Sequence, residues 1–277
     1  MSQSGRVAID EGVAFGTGGG RQLRCDLYTP PDRPTSAPGV LLLHGGAWRS
    51  GDRSQLRGYG ILLGMAGYVC MAAEYRLADE AAWPAQIEDV KAAIRWLRAT
   101  AGEHGVDPTR IVAQGNSAGG HLALLAAATP GLEPFEGQGG NPGVPTDVAA
   151  AVAIYPPTQL SRVPTELFAS EAEVEARAAA TGTDPREAAR MASPVTHVGG
   201  HVPPTMLIHG EADEVVPVEA SLKLYRELRT AGVPVELHVY PEQPHAFDAH
   251  PDFGRRCADE MAFFLDRYVG WDAGVPD

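Results

Sequence analysis

Two short unbroken apolar runs, at residues 40–43 and 68–73, constrain this chain more than any other feature. A strand with one face in water alternates polar and apolar residues. A run with no polar position fits a sheet covered on both faces, as in parallel α/β architectures. Residues 84–98 then switch to helical spacing, with Ile87, Val90, Ala93, Ile94 and Leu97 recurring at three and four behind a proline in the first turn. Downstream, strand patterns at 110–114, 148–155, 206–209 and 235–240 are interleaved with helical patterns at 117–128, 218–231 and 253–268. Ahead of all this, runs at 7–15 and 23–28, joined through Thr17-Gly18-Gly19-Gly20, read as an antiparallel hairpin. The order predicts an α/β fold: a mostly parallel twisted sheet of about eight strands with helices on both faces.

The 277 residues fit one domain, 1–277, with one break in the rhythm. Residues 156–203 hold no strand pattern, only proline-rich turns and Ala/Glu/Arg-rich runs at 166–180 and 185–191, and read as a small helical insertion. Residues 131–145, with five glycines and three prolines, read as a long surface loop.

Composition closes off several classes of function. A formal net charge of −13 opposes nucleic acid and anionic membranes as partners. No apolar run approaches the roughly 18 residues needed to span a bilayer, and the N-terminal dozen residues lack a signal-peptide core, so a cytoplasmic location is the default. Cys25, Cys70 and Cys257 are odd in number and fit no disulfide framework or zinc spacing.

The chemistry concentrates at the predicted strand ends. Gly115-Asn116-Ser117-Ala118-Gly119 fits G-x-S-x-G. In a chain with 32 glycines that string is weak alone, but it falls between a strand and a small-residue helix, where a sharp turn would expose the serine oxygen. The bland reading is a glycine turn whose serine caps a helix. A serine nucleophile needs a base, and the base needs an acceptor that fixes its tautomer. Asp213 follows the strand at 206–209 and His245 follows the strand at 235–240, which gives the chain order Ser, acid, His. Glu211 and Glu214 are rivals for the acid, and Asp213 as a turn cap is its bland alternative. His209 and His250 read as solvated loop histidines. His44-Gly45-Gly46-Ala47-Trp48 follows the run at 40–43, and the amides of Gly46 and Ala47, with that of Ala118, are candidate oxyanion donors. A tight glycine turn with an aromatic packed over it is the alternative.

Together HGGAW (44–48), GNSAGG (115–120), HGEAD (209–213) and PHAF (244–247), with Tyr75-Arg76-Leu77 and Trp83-Pro84, resemble the α/β-hydrolase esterases of the hormone-sensitive-lipase-like and feruloyl-esterase-like (BD-FAE-type) groups over nearly the whole chain. The resemblance implies a serine carboxylesterase with Ser117, Asp213 and His245 as its triad. It implies an oxyanion hole at Gly46, Ala47 and Ala118, and substrate contacts from Asn116 and from Trp48, whose ring either roofs the pocket or packs against the scaffold. Residues 156–203 would form a cap over the site. Here Ala47 replaces the third glycine of the commoner HGGG. The implied substrate is a small ester with a short acyl chain or an aromatic group. No metal or organic cofactor is implied, and a homodimer is left open. An amidase of the same fold, arylformamidase-like or acyl-peptidase-like, is the first alternative, and a non-catalytic binding protein the second.

Overall fold

The computed structural model describes residues 5–32, 35–167 and 169–270; residues 1–4, part of the stretch read for a signal peptide, lie outside the described residues. Eight strands, β1 (Ala8–Gly18), β2 (Arg21–Thr29), β3 (Ala37–Leu43), β4 (Val69–Ala73), β5 (Val106–Asn116), β6 (Ala150–Ile154), β7 (Thr205–Gly210) and β8 (Val235–Tyr240), form one sheet in the order β1-β2-β4-β3-β5-β6-β7-β8. The β1–β2 and β2–β4 pairs are antiparallel and all the others parallel. Helices follow in chain order as α1 (Arg57–Met65), α2 (Ala85–Ala99), α3 (Ala101–His104), α4 (Ala118–Ala128), α5 (Glu133–Glu136), α6 (Glu171–Thr181), α7 (Pro185–Met191), α8 (Glu219–Thr230) and α9 (Pro251–Val269). No described helix is long and apolar enough to cross a membrane. This is the mostly parallel sheet expected from the alternating patterns, in the α/β-hydrolase arrangement that the family resemblance implies.

β3 shows why the apolar runs read as they did. All seven of its residues are buried. Leu41 and Leu43 pack with α2 and α4 on one face, while Val40 and Leu42 pack with α1 and α9 on the other. α4 is buried along its whole length, which its run of Ala and Gly permits, since small side chains let it lie close under neighbouring chain. Residues 156–203 carry α6 and α7 with flanking 3₁₀ turns, and they dock on the α2/α4 side. Thr165 Oγ1 accepts from the Trp83 amide at 3.2 Å, and the Ala192 carbonyl accepts from His121 Nε2 at 2.7 Å.

The stretch 131–145 is less loop-like than its glycines and prolines suggest. It contains α5, whose Phe135 is buried, and three cations spaced along α2 hold it down. Lys91, fully buried, donates to the Thr129 carbonyl and, at 2.8 Å, to Glu136. Arg95 donates to the Gly140 and Glu136 carbonyls at 2.9 and 2.8 Å and pairs with the Glu136 carboxylate at 3.0 Å. Arg98 donates to the Pro145 carbonyl at the end of the stretch and to the flanking Pro108 and Asp147 carbonyls at 2.9 and 2.6 Å. A loop too poor in apolar residues to bury itself is thus fixed by satisfying its carbonyls from one helix face. One carboxylate, Glu136, serves two buried cations.

That asymmetry predicts unequal substitutions. Glu136→Ala strands two cations and should cost about 3–5 kcal/mol in urea unfolding, whereas Lys91→Met removes a buried charge, leaves Glu136 paired with Arg95, and should cost no more than about 1 kcal/mol. A second prediction concerns acid. Burial lowers the His121 imidazole to about 4. The unfolded chain therefore binds more protons than the folded one between that value and about 6.5, so stability present at neutral pH is lost as pH falls through this window. Between pH 7.5 and 4.5 the wild type should lose about 2–3 kcal/mol more than His121→Leu, measured by denaturation at each pH.

Candidate active site

The G-x-S-x-G turn is built by close approach of backbone. A β-carbon on Gly119 would stand 2.0 Å from the Leu43 carbonyl oxygen, and one on Gly115 would stand 2.2 Å from the carbonyl carbon of Gly119. With both side chains absent, β5 passes directly into α4, and Ser117 between them takes φ 53° and ψ −117°. The Ser117 amide donates to the Ile154 carbonyl at 2.8 Å and its carbonyl accepts from the His121 amide at 2.9 Å, so the strained residue is held from both sides.

Ser117 Oγ lies 3.0 Å from His245 Nε2, and His245 Nδ1 lies 2.6 Å from Asp213 Oδ2. The three residues predicted to act together are joined in one line. Asp213 is inaccessible to solvent, and its Oδ1 accepts from the amides of Val215 and Val216 at 2.9 and 2.8 Å, which leaves Oδ2 aimed at the imidazole. Its rivals Glu211 and Glu214 are exposed. His250 is exposed as expected, but His209 is not a loop residue. It is fully buried at the end of β7, donating from Nε2 to the Val216 carbonyl at 2.8 Å and accepting at Nδ1 from Ser221 at 2.7 Å. Burial lowers its basicity, so it buttresses the Asp213 loop as a neutral ring.

The segment after β3 lies against this turn: a β-carbon on Gly45 would be 3.1 Å from the Asn116 carbonyl oxygen and 3.3 Å from Ser117 Cβ. The Gly46 carbonyl accepts from the amides of Arg49 and Ser50 at 3.0 Å each, while the amides of Gly46 and Ala47 have no acceptor among the described residues. Ala118 is the first residue of α4 and has no intrahelical acceptor. His44 braces the segment from behind, stacked on Tyr75 at 4.3 Å with its carbonyl accepting from the Tyr75 hydroxyl at 2.9 Å. Ala47 has φ 52° and Trp48 φ 59°. The alanine in place of glycine has not prevented the left-handed turn.

These two consecutive left-handed residues correct one expectation. They carry Trp48 into the core on the α2/α4 face, where it is 4% exposed and edge-on to His121 at 5.1 Å, and it does not line the cavity at Ser117. Asn116 is corrected differently. It borders the cavity, but its amide donates to the Tyr155 hydroxyl at 3.1 Å and to Asp248 at 2.6 Å, while its oxygen accepts from Gln114 at 2.8 Å. Each of its side-chain polar atoms is thus already engaged within the protein. The carboxylate of Asp248, a residue the sequence reading passed over, also accepts from Tyr59 at 2.7 Å and from Tyr155. It ties together α1, the serine turn, the end of β6 and the His245 loop, and the Tyr155 ring lies 4.5 Å from that of His245. The signals available were the position of Tyr155 at a parallel strand's C-terminal end and of Asp248 three residues past the histidine.

A cavity of about 1100 Å³ opens at Ser117 and His245 and runs between α1 and the first turn of α9. None of its lining residues comes from 156–203, because that insertion docks on the opposite face of the sheet. The expected cap therefore does not wall this cavity. Among the described residues there is no cluster of His, Cys, Asp and Glu able to hold a metal ion.

Known proteins share this architecture. The probable carboxylic ester hydrolase LipM of Mycobacterium tuberculosis is 34% identical over 270 residues, covering 95% of this chain and 61% of that protein. Esterase LipC of the same organism is 35% identical over 229 residues, covering 80% and 56%. The chain thus spans about three fifths of the length of these relatives. Esterase Est2 of the planctomycete Thermogutta terrifontis, solved with butyrate bound, superposes with a TM-score of 0.78 at 29% identity over 99% of this chain and 97% of that one. The same esterase has been solved phosphorylated by paraoxon, with a TM-score of 0.79 at 26% identity over 100% and 98%. The BD-FAE family model matches residues 25–228, most of the sheet and every element around Ser117 except the His245 loop and α9; the chain belongs to the BD-FAE family.

Proposed function

We propose that this chain is a serine carboxylesterase that hydrolyses small carboxylic esters through an acyl-enzyme. The observation that carries the proposal is the hydrogen-bonded line Ser117–His245–Asp213, with links of 3.0 and 2.6 Å, opening on a cavity that can hold a small molecule. In this reading His245 Nε2 takes the Ser117 proton as Oγ attacks the ester carbonyl, and returns it to the departing alcohol. A water then repeats the sequence on the acyl-enzyme. Asp213 holds the Nδ1–H tautomer and stabilises the imidazolium without itself becoming protonated. The amides of Gly46, Ala47 and Ala118 are assigned to the oxyanion, since they are donors with no competing acceptor beside the serine.

The names of the relatives support the same reading: LipM is called a carboxylic ester hydrolase, LipC an esterase, and Est2 was captured with butyrate and with a phosphoryl group from paraoxon. For this chain we assign esters with a short acyl chain or an aromatic group, the compact insertion at 156–203 being no lid for a triglyceride surface.

Initial rates on p-nitrophenyl acetate and butyrate test the assignment. Ser117→Ala should fold like wild type and lose a factor on the order of 10⁴ to 10⁶ in kcat. Paraoxon should inactivate the wild type stoichiometrically and leave the variant unlabelled by mass spectrometry. A Ser117→Ala protein that keeps its rate would remove Ser117 from the chemistry.

A further inference from the structure

α1 contains three glycines in nine residues, an expensive choice for a helix at about 1 kcal/mol each relative to alanine. Two have a packing reason. A β-carbon on Gly60 would strike the Tyr28 ring at 2.6 Å, and one on Gly64 would press on Val7 at 3.0 Å. Gly58 has none: a β-carbon there meets nothing within 4 Å, and its backbone needs no left-handed turn. What Gly58 does border is the cavity at Ser117. It lies on the face of α1 that also presents Ile61 and Leu62, at i+3 and i+4 from it, toward the beginning of α9. Leu56, Ile61 and Leu62 from the α1 side and Ala249 and Pro251 from the opposite wall give that trough its apolar lining, with Gln55, Asp252 and Arg255 as its polar members. Ile61 is 37% and Val215, at its rim, 71% exposed, a cost in water that an apolar ligand would remove.

We infer that Gly58 is a specificity-determining residue: by contributing no side chain to the α1 wall it keeps open a trough leading away from Ser117, which takes an extended apolar arm on the alcohol side of the scissile ester, the acyl group being short. The inference rests on the esterase reading and adds to it where the larger part of the ester lies. Burial of an arm in such a trough is worth about fourfold in kcat/KM per methylene, and that dependence disappears if the trough is filled.

The experiment compares wild type, Gly58→Ala, Gly58→Leu and Gly102→Leu on two ester series: p-nitrophenyl acyl esters from acetate to octanoate, and acetates of alcohols from methanol to octanol. Gly102 serves as control because its β-carbon also meets open space, in α3, away from the cavity. In wild type kcat/KM should rise with chain length among the acetates of the longer alcohols, and a rise in the acyl series alone overturns the inference. Gly58→Leu should cut that rise by at least about tenfold at eight carbons, leaving the rate on the two-carbon member within threefold. Gly102→Leu should match wild type. Gly58→Ala should retain most of the rise while raising the Tm, since alanine is the better helix former. Acetate hydrolysis with no length dependence in either series, or a Gly58→Leu profile parallel to wild type, overturns the assignment of Gly58 while leaving the esterase reading intact. Absence of Ser117-dependent hydrolysis in both series overturns both.

Discussion

Ser117 holds a backbone conformation that costs on the order of 1–3 kcal/mol, and the surrounding architecture is what makes it persist. The cost is met by the fit of α4 against the end of β3, possible only with hydrogen atoms in place of side chains at Gly115 and Gly119. From that contact the rest follows. It fixes the segment 44–48 beside the serine, it sends the N-terminus of α4 toward the place where an oxyanion would form, and it leaves the serine oxygen at the C-terminal edge of the parallel strands, where the loops after β7 and β8 deliver Asp213 and His245.

Charge is handled around this centre by enclosure. Asp213 is buried yet accepts two amides and an imidazole, and Asp248 is satisfied by two tyrosines and an asparagine. His44, His121 and His209 are all shifted by burial toward their neutral forms. The site thus carries few mobile charges near the reacting groups, and its ordering rests on hydrogen bonds whose donors and acceptors have definite partners.

The sheet and the hydrogen-bonded line Ser117–His245–Asp213 were legible in the sequence because each rests on a local signal: a run apolar on both faces, a glycine-flanked serine after a strand, an acid and a histidine after the last two strands. Other features have no local signature. The sequence sets no bounds for the helix expected between β3 and β4, since three glycines blur helical periodicity. Phe135 and Glu136 looked like part of a glycine- and proline-rich loop, and only the spacing of Lys91, Arg95 and Arg98 on α2 explains why that loop is ordered. The position of Trp48 in HGGAW allows either a roof over the site or a core position, and only the two consecutive left-handed residues decide for the core. The Asp248 network draws on four separated segments and appears only when the chain is folded.

The docking of residues 156–203 on the α2/α4 side, away from the cavity beside α1 and α9, divides the surroundings of the serine between two stretches of chain that share little contact. Changes in one can accumulate without repacking the other. A substitution in residues 156–203 is therefore felt first on the α2/α4 side, and the wall that α1 and α9 give the cavity does not have to repack in response.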